Sequence, residues 1–565
     1  MSKKVLIVGG VAGGASVAAR VRRLDESAEV IMFERGPNVS FSNCCLPYHL
    51  SGEIENSEDL VLMCPDKFAS QYNIEARVYN EVTEIKKEEK KVVVKNLQTG
   101  EEYEESYDKL VLSPGAKPIM PRSIEGITNE NVFSVWNVVD IEKIKGYADD
   151  NKVKDVVVVG GGFIGVEVAE NFKMDGKNVT LVEALDQIMS PLDKDMVQLI
   201  HKEMHDNGIN LVLSDGVQKI AEDHVELQSG KKIDAEIVVM AIGVTPETTL
   251  AEDAGLEIGE TRGIKVDHNY LTNDKDIYAV GDAIEVYNKL TSKPCKLAMA
   301  GPAQRQARAA ADHMYGRNHN NNGVIGSSVV KVFEINGAST GLNEKQAKEA
   351  GISYDIAYTI PGDKVGLMPG ANPMHFKLVY EYPTGRILGA QAIGKGNVDK
   401  RVDVIATMIT LGGTLEDLKE LELCYAPPFG CAKDVVNHTA LVALNLLYGE
   451  FKQVRVTEVR ELVENNAFIV DVREKDEFEE GHLINSVNIP LSELRDRLDE
   501  IPKDKPVYMH CRSAQRSYNA VRALGNMGYD NIWNISGSYL GICCHEYFLD
   551  QTTGRDKIVT EYNFS

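Results

Sequence analysis

The sequence has no uninterrupted apolar run near the roughly 18 residues that a membrane-spanning helix needs. It has few aromatics, 7 % with two tryptophans, and no surplus of positive charge: 61 Lys and Arg stand against 85 Asp and Glu, for a formal net charge of −24. The missing run argues against a helical membrane protein. The missing cations argue against nonspecific binding to nucleic acid or an anionic membrane surface, although a local basic pocket for an anionic ligand remains compatible. No signal-peptide cleavage region follows the opening Met1-Ser2-Lys3-Lys4-Val5-Leu6-Ile7-Val8-Gly9, so a cytoplasmic protein is expected. Nine cysteines in such a chain are expected to be reduced, and a distinctive one is then catalytic before it is structural. No metal site is expected.

What is present is ordinary globular composition, 43 % hydrophobic and 26 % charged, over 565 residues, too many for one core. Three or four domains are expected. Strand-like runs alternate with helical stretches through the first 325 residues, the pattern of α/β units with parallel sheets. From Val329 to Gly449 the strands look antiparallel (Phe376–Tyr380, Ile387–Ile393) and helices follow. The pattern restarts at Phe451 with a helix at Val456–Glu464 and strands at Phe468–Val472 and Val507–His510. Glu450–Gln453 reads as the inter-domain linker, and Asn318–Asn322 as a solvated surface loop.

Two glycine-rich turns join strand to helix. In the first, the strand Val5–Val8 leads into Gly9-Gly10-Val11-Ala12-Gly13-Gly14 and a helix over Ala15–Leu24, and Glu34 ends the next strand, Val30–Phe33. Glycines let the backbone approach a pyrophosphate at a helix N-terminus, and the acid accepts from a ribose hydroxyl. Val11 stands where the fingerprint has its middle glycine. In the second, Val156–Val159 leads into the complete fingerprint Gly160-Gly161-Gly162-Phe163-Ile164-Gly165, and Glu183 ends the strand Val179–Val182. An acid there favours NADH and repels the 2′-phosphate of NADPH, which is kept as a possible second donor. Phe163 has two readings, a gate on the nicotinamide pocket or a packing residue. Glu167 likewise reads as a neighbour of the flavin edge or as helix surface.

Leu110–Ala116, with Ser113, Gly115 and Ala116, and Ile277–Ala283, with Gly281 and Asp282, resemble the paired signatures of two-dinucleotide-binding flavoproteins. The resemblance implies FAD at the first turn, with Asp282 on the ribityl chain. Arg35, Ala300 and Gly243 complete the implied cofactor-binding set. Two such sites on one chain imply that NAD(P)H delivers hydride to a flavin, which passes electrons on.

The electrons are expected at Ser40-Phe41-Ser42-Asn43-Cys44-Cys45-Leu46-Pro47-Tyr48, because a cysteine opening a helix has a lowered pKa and the exposure of a reactive thiolate. Adjacent Cys44 and Cys45 cannot readily form a flexible redox disulfide, since a vicinal bond strains the intervening peptide. The redox cysteine pair and C-terminal histidine–glutamate pair of glutathione-reductase-like enzymes are missing. The segment resembles the single-cysteine pyridine nucleotide-disulfide oxidoreductases, the branch that includes coenzyme A-disulfide reductase, NADH-dependent persulfide reductase, NADH oxidase and NADH peroxidase. Its Asn-Cys-x-x-Pro-Tyr form is similar to the first two. The resemblance implies Cys44 as nucleophile and charge-transfer thiolate, and Cys45 reads as a small buried side chain where that branch commonly has glycine. Cys64, Cys295, Cys424, Cys431, Cys543 and Cys544 read as core.

By the same resemblance Ser16, Arg20, Arg23, Ser40, Asn43, Gln304 and Lys433 are coenzyme A contacts, cations and hydroxyls suited to a phosphorylated thiol. The alternative for the arginines is a solvated helix face. Tyr425, in Tyr425-Ala426-Pro427-Pro428-Phe429-Gly430, resembles the tyrosine that reaches a partner subunit's catalytic cysteine, which implies a homodimer. Leu367-Met368 precede Pro369-Gly370 where the family often has aromatics.

From Val454 on the chain resembles a rhodanese domain through Asp471-Val472-Arg473, Gly481–Pro490 and the loop from Cys511 to Arg516. Backbone N–H groups of such a loop, with Arg512 and Arg516, form a cradle for an anionic cysteine persulfide. An inactive docking module is the other reading, and the presence of Cys511 counts against it. The expectation is α/β: two dinucleotide-binding Rossmann-like domains, with FAD over 1–149 and 245–325 and NAD(P)H over 150–244, an α+β dimerisation domain over 326–450, and a rhodanese-like α/β domain over 454–565. The expected activity is reduction of CoA disulfide or persulfide by NADH through FAD and Cys44. A sulfenic-acid NADH oxidase or peroxidase and a flavin redox sensor stay open as alternatives.

Overall fold

The computed structural model describes residues 3–319 and 321–564, so Asn320 of the expected surface loop lies outside the described residues. The chain divides into two compact units. The first takes everything up to Asp186 together with Val212–Val324; the second takes Gln187–Leu211 and everything from Ile325 on.

The first unit holds two parallel sheets. One is ordered Ile277–Ala279, Lys109–Leu112, Lys4–Val8, Glu29–Glu34, Glu75–Val78. The other places Asn178–Glu183, Asp155–Val159, Ile237–Met240 and Val132–Ser134 side by side. Their central strands read as unbroken apolar runs, Val5-Leu6-Ile7 and Val156–Val159, because both faces are covered. The helix Ala12–Leu24 buries Val17, Ala18 and Val21, and packs along the helix Ala300–Met314 through the latter's alanine-rich face. A three-stranded antiparallel meander, Asn80–Lys86, Lys91–Asn96 and Glu102–Ser106, is inserted before the strand Lys109–Leu112.

The second unit contains a five-stranded antiparallel sheet ordered Ser328–Val332, Ile335–Gly341, Ile387–Gly394, Met374–Glu381, Tyr354–Thr359. It also contains a parallel sheet ordered Lys452–Val454, Ile532–Ile535, Val507–His510, Phe468–Asp471, Val487–Asn488. Glu450–Gln453 is therefore not a linker. Phe451 is buried in the core of the parallel sheet against Tyr518, and Lys452–Val454 is the sheet's edge strand. Gln453 Nε2 donates to Ile356 O at 2.8 Å, which ties that edge to the antiparallel sheet. The expected helix Val456–Glu464 begins as a 3-10 turn, Val456–Glu458.

At the heart of this unit Asp193, Asp195 and Glu344 converge as three carboxylates could on a metal ion. The fully buried Lys377 ammonium stands among them, 2.7 Å from Asp195, 2.5 Å from Glu344 and 3.1 Å from Asp193. A buried charge needs partners to offset its desolvation, and here the lysine and the acids supply each other's.

Candidate active site

Each glycine turn leaves its strand on a residue with positive φ, Gly9 at 93° and Gly160 at 108°. The last glycine of each turn then abuts the first: a Cβ on Gly14 would lie 1.9 Å from Gly9 O, and one on Gly165 would lie 1.9 Å from Gly160 O. Only glycine lets the helix start that close to the strand. Gly10 and Gly13 are also closed in, by Val39 and by Ser113 Oγ. Val11 sits outside the helix as N-cap, and Ala12 is its first residue. Gly162, by contrast, has nothing within 4 Å of where a Cβ would stand, so its face is open to a ligand. Phe163 opens the helix Phe163–Met174 and is half-buried, while Ile164 is exposed.

The two acids brace the turns they follow. Glu34 accepts from Gly10 N at 2.9 Å and from Gly36 N at 2.8 Å. Glu183 accepts from Gly161 N at 2.6 Å and from Leu185 N at 2.9 Å. Arg35 stands over the Trp136 ring, its guanidinium carbon 5.0 Å from the centroid. Gly115 has positive φ and open space, Ala116 pairs with Pro246, and Gly243 O accepts from Ile119 N at 3.0 Å. Ala300 begins the helix that runs to Met314.

Asp282 follows Gly281, whose N–H is held by Oε1 of the buried Gln306 at 2.8 Å. Its own carboxyl has no hydrogen-bond or ion-pair partner among the described residues, and burial pushes it up to about 6. An unpartnered, largely buried carboxyl beside an open glycine cradle fits a dinucleotide whose polyol chain would donate to it. The residues present fit FAD at the first turn.

Cys44, an exposed residue, lies in a single 3-10 turn, Asn43–Cys45. The expected lowering of its pKa is not found. Desolvation raises the thiol first, and the charges of Glu167, Cys45 and Asp282 raise it further. One turn of 3-10 helix has too little dipole to offset nearby acids. Glu167, on the helix after the second turn, is pushed up to about 7 by burial and then by Glu170. Tyr48 is raised to about 12 by burial and by the same two acids. The segment that follows Cys44 is fastened to that helix: Ser51 Oγ donates to Asn171 Oδ1 at 2.6 Å, and Asn171 Nδ2 donates to Glu167 O at 2.8 Å. Cys45 is half-buried, not enclosed in the core. Cys543 and Cys544 are buried as expected; Cys64, Cys295 and Cys431 are half-buried and Cys424 is exposed.

The structure treats the substrate candidates unequally. Arg20 is ion-paired to Asp312 at 2.5 Å, whereas Arg23, one turn on, is exposed. Ser16 is half-buried on the same helix, and Gln304 is exposed on the helix from Ala300. Ser40 holds a left-handed φ of 52° while its N–H donates to Gly10 O at 2.8 Å. Asn43 Nδ2 donates to Trp136 O at 3.2 Å. In the second unit Tyr425 is 49 % exposed and Lys433 is exposed, on the segment before the helix Val435–Leu447.

Also in the second unit, Cys511 ends the strand Val507–His510 and is 1 % exposed. The loop turns through Ala514, at φ 74°, into the helix Gln515–Asn526. Ser517 Oγ donates to Cys511 Sγ at 3.7 Å, and Cys511 N donates to Ser538 Oγ at 3.1 Å. Arg516 reaches the Cys511 thiol and is held by Glu477 through two bonds, 2.6 and 2.7 Å. Arg512 is half-buried, and its O accepts from Leu540 N at 3.0 Å. Below the loop Asp471 and Arg473 form a fully buried pair, 2.7 Å apart, with the Arg473 guanidinium carbon 4.1 Å from the centroid of the Tyr539 ring.

Sequence reasoning missed Gln306, Tyr48, Glu170, Glu477, Ser517 and Ser538. Tyr48 and Ser517 sat within quoted motifs; the others lie apart from any motif, and no sequence signal marks them.

Comparison with known proteins follows this geometry. The family model described as pyridine nucleotide-disulphide oxidoreductase matches residues 3–313, that family's dimerisation domain matches 327–434, and a rhodanese-like domain matches 455–543. A coenzyme A disulfide reductase of Staphylococcus epidermidis is 33 % identical over 77 % of this chain and 98 % of its own length. The crystal structure of reduced Bacillus anthracis CoADR-RHD is 44 % identical, covers 97 % of this chain and 99 % of its own, and superposes with a TM-score of 0.93. That of a NAD-dependent persulfide reductase from A. fulgidus is 35 % identical over 95 % and 99 %, with a TM-score of 0.91.

Proposed function

Since this chain belongs to the pyridine nucleotide-disulphide oxidoreductase family, we propose that it reduces coenzyme A disulfide or persulfide with NADH, and that its rhodanese-like domain handles sulfane sulfur. The observation that carries the reading is Cys44, an exposed residue whose thiol feels the acids Glu167 and Asp282, in the unit that also holds both glycine turns. Neither acid has a partner for its carboxyl among the described residues. FAD bound at the first turn supplies two-electron transfer between NADH and a thiol centre.

The chain's own residues do the rest. Glu183, a carboxylate at the end of the strand after the second turn, repels a 2′-phosphate and so favours NADH. Cys44 as thiolate attacks one sulfur of the S–S bond; the other leaves with the bond's electron pair, as CoA thiolate from the disulfide or hydrosulfide from the persulfide. A Cys44–CoA mixed disulfide remains, and two electrons originating in NADH cleave it to thiols. Because Cys44 is raised by its neighbours, its proton needs an acceptor. The Glu167 carboxyl, titrating near 7, is suited to take and return it. Arg23, Ser16, Ser40, Asn43 and Gln304 bind the phosphorylated arm of CoA. In the second unit Cys511 takes sulfane sulfur as a persulfide, stabilised by the loop N–H groups and by Arg516.

The chain acts as a homodimer, in which Tyr425 and Lys433 complete the partner's Cys44 site. The exposure of Tyr425 and Phe429, four residues apart on one segment, supports a partner there. No helix of the described residues is long and apolar enough to cross a membrane, and a reducing cytoplasm would keep the nine thiols free. The test is steady-state NADH oxidation with CoA disulfide and CoA persulfide against oxygen and peroxide. Turnover with the sulfur substrates at least tenfold above the oxygen and peroxide controls supports the reading; the reverse order assigns an oxidase or peroxidase.

A further inference from the structure

The wall behind the Cys511 loop is not made by the parallel sheet's own domain alone. The carbonyls of Cys511 and Arg512 accept from Tyr539 N and Leu540 N, both at 3.0 Å, the first turn of the helix Ser538–Thr553. Cys511 N donates to Ser538 Oγ, so both ends of the Cys511 peptide unit are fixed by that helix start. The helix start turns through two residues of positive φ, Gly537 at 72°, where glycine is relaxed, and Ser538 at 49°, where a side chain carries the cost. Gly537 has no room for a side chain, because a Cβ there would lie 2.6 Å from the Tyr358 ring, and one on Gly541 would lie 3.5 Å from it.

Tyr358 belongs to the other sheet of the unit, on the strand Tyr354–Thr359. Its hydroxyl is hydrogen-bonded to His375 Nδ1 at 2.6 Å, and both side chains are buried. Burial first, and then the charge of Arg512, a member of the loop, push His375 down to about 3, so its imidazole is neutral at neutral pH. The segment Gly537–Gly541 is thus pressed between Tyr358 on one side and the Cys511 loop on the other.

We propose that Tyr358, fixed by His375, is a positioning residue for the sulfur-transfer loop: the antiparallel sheet supplies the back wall that sets the direction of the Cys511 thiol. The proposal rests on the reading of Cys511 as a sulfur carrier. In that reaction the Cys511 thiolate bonds to the outer sulfur of thiosulfate, sulfite leaves with the electron pair of the broken S–S bond, and cyanide accepts the sulfur as thiocyanate. A misdirected thiolate slows the attack without changing how the donor binds, because sub-ångström placement of the reacting atoms governs the rate.

The experiment uses the full-length flavoprotein and the variants Tyr358→Phe, Tyr358→Ala and Cys511→Ser. Tyr358→Phe keeps the ring against Gly537 and removes only the hydroxyl that fixes it. Three quantities are measured: thiocyanate formation from thiosulfate and cyanide, the rate of Cys511 alkylation by iodoacetamide across pH (located by mass spectrometry), and NADH-dependent reduction of CoA disulfide. Tyr358→Phe is expected to lower kcat for sulfur transfer about tenfold with KM for thiosulfate unchanged, to shift the alkylation pH profile, and to leave CoA disulfide reduction intact. Tyr358→Ala should lose more. Sulfur transfer and alkylation at wild-type levels in Tyr358→Phe would overturn the proposal, as would equal loss of all three activities, which indicates general unfolding. If the wild type forms no more thiocyanate than Cys511→Ser, the carrier reading of Cys511 fails. The alkylation rates then decide the positioning claim by themselves.

Discussion

The two cysteines proposed as reactive, Cys44 and Cys511, sit in opposite electrostatic settings. Near the Cys511 loop two ion pairs are already closed: Asp471 holds Arg473, and Glu477 holds Arg516. Around Cys44, Glu167 and Asp282 have no partner for their carboxyls among the described residues; Glu167 is pushed to about 7 and Asp282 to about 6, and both raise the Cys44 thiol. A site whose charges are already paired is a finished scaffold and needs only a small substrate. A site with unpaired buried acids is poised for something that will donate to them, which is what a dinucleotide cofactor and a proton-coupled thiol require.

The sharpest way to break this contrast is to remove Cys44. Cys44→Ser should reduce turnover of CoA disulfide and persulfide to background, at least a thousandfold, while NADH still bleaches the bound flavin. Retained turnover, or its loss in Cys45→Ser instead, would move the reductive site. Cys511→Ser should do the reverse, sparing CoA disulfide reduction and lowering sulfide release from thiosulfate or polysulfide. A wild-type sulfide yield from that variant would make the second site a docking surface. A smaller effect is expected at the donor end. Glu183→Ala should narrow the NADH over NADPH preference about fivefold, since one unit charge near solvent is worth ~1 kcal/mol; kcat/KM for both donors measures it.

The smallest effect opposes the two units through pH. In the second, burial holds His375 at about 3 and His545 at about 4, below the ordinary value of 6.5. The unfolded chain therefore binds more protons, and the unit's stability is full above pH 6.5 and falls as pH drops toward 4. In the flavin-free first unit Glu167 and Asp282 are raised, so the folded state binds more protons and stability falls as pH rises from about 4 through 6 and 7. The chain has two tryptophans, Trp136 in the first unit and Trp533 in the second. Denaturant unfolding of Trp533→Phe reports the first unit and that of Trp136→Phe the second. Slopes of the same sign with pH would show that these groups do not set the balance.

Much of this molecule was readable in one dimension because the relevant signals are local. A positive φ and a close helix–strand approach demand glycine at fixed spacing, so Gly9–Gly14 and Gly160–Gly165 announced their turns. The strands came within a residue or two, since Val156–Val159 and Phe376–Tyr380 carry their burial in their composition. The linker reading failed for the same reason in reverse. Glu450–Gln453 is polar at three of four positions, and nothing local says that Phe451 finds Tyr518 and that the next residues find Trp533 and Asn534 as sheet neighbours.

Charge was where local reading ran out. A cysteine at a helix start suggests an acidic thiol, but Coulomb interactions act through space, and Glu167 and Asp282 are brought to Cys44 from distant segments. Arg20 looked available to a phosphate until the helix from Ala300 placed Asp312 against it. Consecutive residues were enough for the two glycine turns, for singling out Cys44 and Cys511 as candidates, and for the order of the modules, because their backbone needs are independent of the rest. Only the tertiary structure decided which charges are paired, which acids stand alone beside Cys44, and that Tyr358 backs the Cys511 loop, because pairing and burial depend on which distant surfaces meet.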